Sequence, residues 1–349
     1  MKIFYFSEDL SYPFDEGIKK TARNILQQLL KYHQVAACSK FGKDNNEWNL
    51  KNIETNKLLL SSELKKTIQY FKPDTIVYLS SASATFASFL RMKILSSYYT
   101  EARTVMINLQ PKYLSSLKKR MVSLIKPDVV LTPSVAVESQ MKNMGIKTEF
   151  FPLYTKLSKF NKKDENTDKN VLRKKYGIPK DKFVITHVGH INYGRNLEAL
   201  IPLQKSDNQV VVVGSSSTPE DAPKEQALKE KLKKKGMIII DGYVEDIQEI
   251  YKLSDVYIFP VVYEGGCIGV PLTILEARAC GTTVLTTDYA SVKRVIAKKD
   301  PSVIISDCDN FEAEIANIKN KKYPESDGFN AVKKLNEEFL LKLNNVIAG

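Results

Sequence analysis

Residues 259–287 read Phe259-Pro260-Val261-Val262-Tyr263-Glu264-Gly265-Gly266-Cys267-Ile268-Gly269-Val270-Pro271-Leu272-Thr273-Ile274-Leu275-Glu276-Ala277-Arg278-Ala279-Cys280-Gly281-Thr282-Thr283-Val284-Leu285-Thr286-Thr287. A β-type apolar run leads into a glycine-rich loop, and a helix-type stretch follows with Glu276 in an apolar setting. Gly281 stops that stretch before a second β-type run. Strand, loop, helix, strand is the unit from which parallel sheets are built. A carboxylate so close to a glycine-rich loop suits recognition of hydroxyls, as on a ribose.

The same rhythm extends in both directions. Residues 183–188, 209–213, 237–240, 255–259, 283–286 and 302–305 read as strands with helices between them. Upstream, residues 2–7, 34–38, 75–79, 104–109 and 129–132 do likewise. Residues 17–32 form an amphipathic helix with Ile18, Ala22, Ile25, Leu26 and Leu29 on one face. The polar stretch 156–182, which holds Asn161-Lys162-Lys163-Asp164-Glu165-Asn166, breaks the rhythm and reads as a linker. The expected divisions are therefore 1–155, 156–325 and a C-terminal helix in 326–349. That helix carries Val332, Leu335, Phe339, Leu340 and Leu343 as a face able to pack back on the first domain. The expected fold class is α/β, two facing Rossmann-like doubly wound domains with a cleft between their strand ends, where such folds bind ligands.

Composition fits two globular domains and excludes several alternatives. The chain has 349 residues, 43% hydrophobic and 26% charged, enough for two separate cores. No apolar run approaches the roughly 20 residues of a membrane span. Glu8 and Asp9 interrupt the N-terminal apolar run where a signal peptide would continue, so a cytoplasmic location is expected. Cys38, Cys267, Cys280 and Cys308 show neither zinc-type spacing nor a disulfide framework and read as core or loop thiols. The net charge is +12, and residues 1–155 hold 22 Lys and Arg against 13 Asp and Glu. Such a half attracts a phosphate-rich partner or is simply a solubilising surface. No helix-turn-helix, RNA-binding aromatic motif or zinc finger is visible, so nucleic acid is not the expected partner. Residues 112–126 are basic and amphipathic; they suit an anionic membrane surface, or pack their apolar face on the strand that follows.

Two further loops follow predicted strands. Asp15-Glu16-Gly17-Ile18 puts a glycine at a helix start, where a phosphate can approach backbone amides. The three-glycine dinucleotide fingerprint is absent, which argues against an NAD enzyme. His187-Val188-Gly189-His190-Ile191-Asn192-Tyr193-Gly194-Arg195-Asn196-Leu197 ends a strand at a glycine and carries His190 and Arg195 into a helix start, which suits a diphosphate.

Over residues 183–290 these motifs resemble the retaining family 4 glycosyltransferases of the GT-B fold, with Glu264-Gly265-Gly266, Glu276-Ala277 and Gly281 matching the donor-site signature. The Gly189–Arg195 loop is similar to that family's phosphate-binding loop, and residues 241–256 to its strand-helix-strand connection. The resemblance implies an N-terminal acceptor domain and a C-terminal nucleotide-sugar domain. It implies transfer of a sugar from a nucleotide-diphosphate donor to an acceptor hydroxyl with retention of configuration, on a glycan or lipid-linked acceptor, with no metal or cofactor. Carried over to this sequence, Glu276 would bind the donor ribose and Arg195 the diphosphate. Gly17 and His190 would join the diphosphate contacts, and Gly265, Gly266, Leu272 and Thr273 would line the donor site. Glu264 and Arg195 would act at the reacting centre. Three departures stand out. Eleven residues separate Glu264 from Glu276 where the family has seven, so strict spacing falls on Ile268; His190 replaces an arginine, and Asn196 a glycine. The family's N-terminal histidine has no counterpart, since His33 lies at a helix end. These departures leave a catalytically degenerate nucleotide-sugar-binding homologue as the alternative. Asp307-Cys308-Asp309 follows a terminal strand, away from the donor loops, and is not expected to hold a metal.

Overall fold

The computed structural model describes residues 1–81, 83–162, 168–215, 222–264, 267–296, 300–324 and 327–349. The chain divides into two compact units. Unit 1 comprises Met1–Tyr154, Cys267–Val270 and Leu335–Gly349; unit 2 comprises Thr155–Gly266 and Pro271–Lys334.

Unit 1 is built on seven parallel strands: β1 (Lys2–Asp9), β2 (Gln34–Phe41), β3 (Leu50–Asn52), β4 (Thr75–Leu79), β5 (Arg103–Ile107), β6 (Val129–Thr132) and β7 (Thr148–Phe150). Their order is β3-β2-β1-β4-β5-β6-β7. Helices α1 (Gly17–Tyr32), α2 (Ser62–Phe71), α3 (Phe86–Tyr98), α4 (Ser116–Leu124) and α5 (Val135–Lys142) connect them. Because helices cover both faces of a parallel sheet, central strands are apolar throughout instead of alternating. All five residues of β4 are buried. α1 buries Ala22, Ile25, Leu26 and Leu29, spaced as one face of a 3.6-residue helix requires.

Unit 2 repeats the plan after α6 (Lys169–Lys175), with β8 (Phe183–Val188), β9 (Asn208–Gly214), α7 (Ala222–Lys234), β10 (Ile238–Asp241), α8 (Ile247–Leu253), β11 (Val256–Phe259), α9 (Leu272–Ala279), β12 (Thr283–Thr286), α10 (Val292–Val295), β13 (Val303–Ile305) and α11 (Phe311–Lys319). Its sheet runs β10-β9-β8-β11-β12-β13, all parallel. Both units are thus Rossmann-like α/β domains. In each, strand order reverses beside the first strand, between β1 and β4 in unit 1 and between β8 and β11 in unit 2. Those reversal points are where open parallel sheets receive ligands, at the carboxyl ends of the strands.

The stretch 156–182 is not pure linker. It contains α6, whose Leu172 is buried and whose Arg173 pairs with Asp255 at 2.6 Å while donating to the Leu253 carbonyl. The last helix, α12 (Gly328–Ala348), begins in unit 2 and belongs to unit 1 from Leu335 onward. There Phe339 stacks on Phe151 with ring centres 5.5 Å apart, Lys342 donates to the Phe150 carbonyl at 2.8 Å, and Thr75 donates to the Ile347 carbonyl. None of the four cysteines forms a disulfide, and Cys38, Cys267 and Cys280 are buried. Among the described residues no helix is long and apolar enough to cross a membrane.

Candidate functional site

The carboxyl ends of β8, β9 and β10 are held together through three glycines. Gly189 donates to the Val213 carbonyl at 2.9 Å, and Gly242 to the Gly214 carbonyl at 2.9 Å. A Cβ built on Gly214 would lie 1.7 Å from the Gly189 carbonyl oxygen, so only glycine lets the two strand ends approach this closely.

At the reversal point the β8–β11 ladder runs only through Ile185 and Thr186, opposite Val256 and Tyr257. Beyond it, the side chain of His187 replaces a backbone bond, with Nδ1 3.0 Å from the Ile258 carbonyl. A carbonyl only accepts, so Nδ1 carries the proton and Nε2 presents a bare lone pair. The ring is fully buried, lies near-parallel to Tyr257, and Nε2 has no hydrogen-bond partner. Burial lowers its pKa to about 4 against the opposing pull of the Ile258 carbonyl, and the nearby Arg195 charge adds to the lowering.

The loop above this floor carries Arg195. A Cβ at Gly189 would sit 3.1 Å from His187 Nε2 and 3.9 Å from Arg195 Nη1, so the missing side chain leaves room at the strand end beside both. Arg195 Nε is buried and unpaired. An orphaned buried guanidinium donor is costly, and a phosphate oxygen is a geometrically matched acceptor for it. His190 lies half-buried on the same loop. The α-helix expected after this loop is instead a pair of 3-10 segments, Tyr193–Arg195 and Leu197–Leu203. Asn196 breaks them by taking φ +54°, and Pro202 removes a donor from the second. The loop therefore offers local N–H donors without the dipole of a long α-helix. The left-handed backbone also explains Asn196 in place of glycine: asparagine tolerates this region, and its Nδ2 donates to the Pro260 carbonyl at 3.0 Å, tying the loop to the end of β11.

The glycine-rich loop after β11 is divided. Gly265 and Gly266 lie outside the described residues. Glu264 is exposed, and its carbonyl accepts from Tyr289 Oη at 2.9 Å. Ile268, on which strict signature spacing falls, is buried within unit 1, with its Cδ1 3.0 Å from the position of a Cβ on Gly17. Gly269 beside it donates to the Leu109 carbonyl at 3.0 Å. Gly17 opens α1 as expected, and the space a side chain would take there is filled by Ile268.

α9 carries the remaining predicted residues. Thr273 Oγ1 accepts from Tyr257 Oη at 2.7 Å, and Leu272 is buried. Glu276 is 3% exposed, and its Oε2 accepts from Tyr251 Oη at 2.9 Å. Burial and the adjacent Glu276 charge raise the Tyr251 phenol well above its ordinary value, so this bond is a neutral O–H to a carboxylate. Arg195, His190, Glu264, Leu272, Thr273 and Glu276 therefore all belong to unit 2, and Gly17 to unit 1. His187, Gly214 and Tyr251 join them without having been singled out as site residues. Gly214 carries a readable signal, a glycine closing a Val-rich strand; His187, inside an apolar run, carries none. Asp307 and Asp309 are exposed beside a 3-10 turn, and among the described residues no three His, Cys, Asp or Glu side chains are gathered to hold a metal ion.

Two parallel Rossmann-like sheets, one with glycines and an arginine at the strand ends beside its reversal point, define the class of doubly wound two-domain α/β proteins. Within it, the chain belongs to the Glycosyl transferases group 1 family, whose model matches residues 168–347. It is similar to the Escherichia coli UDP-Gal:alpha-D-GlcNAc-diphosphoundecaprenol alpha-1,3-galactosyltransferase, with 28% identity over 185 residues, 46% of this chain and 45% of that one. The match thus spans less than half the length of that relative. Among solved structures it shares its fold with Anabaena HepE in complex with UDP-glucose, at TM-score 0.75 and 13% identity over 100% of this chain and 98% of that one. Sucrose-phosphate synthase from Thermosynechococcus elongatus superposes at TM-score 0.77 with 14% identity, over 99% and 98%.

Proposed function

We propose that this chain transfers a glycosyl group from a nucleoside-diphosphate sugar to an acceptor hydroxyl, with retention of configuration and without a metal. The observation that carries this is Arg195, whose buried, unpaired Nε sits beside the glycine-lined ends of β8 and β9 at the reversal point of the unit 2 sheet. When the bond from the sugar to the diphosphate breaks, negative charge grows on the leaving phosphate. Fixed donors that are already desolvated stabilise that charge most effectively. Arg195 is the principal donor, with His190 and the loop amides assisting. Glu276, steadied by Tyr251, takes the ribose hydroxyls; Leu272, Thr273, Gly265 and Gly266 line the donor, and Glu264 lies at the reacting end. The E. coli relative is named for transfer to a diphosphoundecaprenol-linked sugar, which supports a lipid-linked glycan as acceptor. A sugar-nucleotide donor fits a reaction on the cytoplasmic side of a membrane.

One observation favours a second reading, a nucleotide-sugar-binding homologue without turnover. Ile268 stands at the strict position of the first signature glutamate and is buried in packing. Incubating the purified chain with UDP-, GDP- and ADP-sugars and following released nucleoside diphosphate separates the two. Release, with an acceptor or water, supports the transferase. Tight binding with no release puts the second reading ahead. An inverted anomer in the product, read by NMR, refutes retention.

A further inference from the structure

From Ala102 to Pro127 the chain holds Arg103, Lys112, Lys118, Lys119, Arg120 and Lys126 and no acidic residue. Within unit 1 this segment forms β5, a turn and α4. Of the apolar residues in 112–126, only Leu114 before the helix and Val122 within it join the core cluster of the unit, with Ile125 after it packed against that cluster in part. The other apolar side chains face water: Leu117 is 69% exposed, Met121 40%, Leu124 80%, and Tyr113, just upstream, 84%. Leu117, Met121 and Leu124 stand at i, i+4 and i+7, so they form one stripe along the helix on the side away from Val122. Lys118 and Arg120 flank that stripe, Lys112 and Lys126 stand beyond its two ends, and all four are exposed. Residues 112–126 thus pack Leu114, Val122 and part of Ile125 on the core and leave this second apolar stripe uncovered.

We propose that α4 and the turn before it dock unit 1 on an anionic lipid bilayer. Leu117, Met121, Leu124 and Tyr113 enter the headgroup–acyl boundary, and Lys112, Lys118, Arg120 and Lys126 meet the headgroup phosphates. The charge pattern selects this occupant. A second copy docked through the same two-fold face would bring these cations against their own kind, and a nucleic acid would leave the aliphatic stripe unburied. A surface with anions above hydrocarbon satisfies both halves of the pattern. The proposal is independent of the donor site.

Co-sedimentation of the full chain with phosphatidylcholine vesicles, with and without phosphatidylglycerol, tests it. The expected result is partition onto the phosphatidylglycerol vesicles that weakens as salt is raised. A basic side chain near an anionic surface changes partition about fivefold, so Lys118→Glu/Arg120→Glu should lower it by about tenfold or more, chiefly at low salt. Leu117→Ser/Leu124→Ser should lower it by about tenfold at every salt concentration. All four positions are exposed, and thermal melts confirm that both variants fold. The proposal is overturned if the wild type stays in the supernatant with both vesicles, binds both equally, or is unaffected by both pairs of substitutions. It is overturned as well if light scattering finds a dimer that Leu117→Ser/Leu124→Ser dissociates. A nucleoside-diphosphate thermal shift measured on the same variants reads the donor site separately.

Discussion

His187 shows how much of a site can rest on one ring. Its Nδ1 closes the gap where the β8–β11 ladder stops, and its buried Nε2 lies beside the glycine that Arg195 also approaches. The pKa, lowered to about 4, gives a signed expectation. At pH above about 6.5 the ring is neutral in folded and unfolded chains alike, so it has no effect on the pH dependence. As pH falls below that, the unfolded chain takes up a proton that the folded chain refuses. Stability then drops until about pH 4, by at most something on the order of 3 kcal/mol. His187→Asn keeps a donor for the Ile258 carbonyl but does not titrate. Its melting temperature should lie below that of the wild type at about pH 7.5, and the gap should narrow by about pH 5; a gap constant with pH contradicts a buried neutral imidazole. Nothing in sequence marks this role, because a histidine within an apolar strand looks like any satisfied core residue. Arg195 and Glu276 could be singled out as candidates because loop and helix signatures surround them. The burial of Glu276 under Tyr251 was not, since the phenol comes from α8, 25 residues away.

At the scale of elements, the strand ends of unit 2 depend on close backbone approach. Gly214→Ala places a methyl 1.7 Å from the Gly189 oxygen and must displace a strand end, at a cost of about 3 kcal/mol or more in urea unfolding. Gly194→Ala meets only Asn192 Oδ1, at 3.3 Å, and should cost under about 1 kcal/mol. Equal costs would contradict the packing of the β8 and β9 ends. Interior strands were readable because burial on both faces makes them continuous apolar runs; β4, β6, β8 and β12 run over the residues the pattern picks out. β3 and β7 were not readable, because these three-residue edge strands, Leu50-Lys51-Asn52 and Thr148-Glu149-Phe150, are mostly polar, whereas the equally short β13 is the apolar run Val303-Ile304-Ile305. α6 was hidden for a different reason. Five of its seven residues are charged or Asn, and it is anchored by Leu172 and by Arg173 reaching Asp255, a partner far away in sequence. The 3-10 segments after β8 escaped because the apolar spacing of 197–203 mimics an α-helical face, while Asn196 and Pro202 prevent a continuous α-helix.

For the whole molecule, two sheets mean two cores, joined in sequence by α12 as well as at residue 155. Phe339 of α12 is fully buried in unit 1 against Phe151 and Tyr154. Phe339→Ala should cost about 3–5 kcal/mol. Hydrogen exchange should show the loss in β4 to β6, with β8 and β9 still protected; equal loss in both sheets would contradict separate cores. The C-terminal helix was legible from its apolar spacing, whereas the four residues Cys267–Val270 that join unit 1 from within the glycine-rich loop were not, because a tertiary contact, Ile268 against Gly17, decides their allegiance. Ligand linkage is also a property of the whole chain, since anything that binds only the folded state raises its melting temperature by mass action. The most direct test is therefore a metal-free melting series with UDP, GDP, ADP and their sugars on the wild type and on Arg195→Ala. The donor-site assignment requires that at least one nucleotide raise the wild-type melting temperature and that Arg195→Ala, folded and of similar intrinsic stability, lose that rise. A rise that survives in Arg195→Ala, or no rise with any nucleotide, contradicts it.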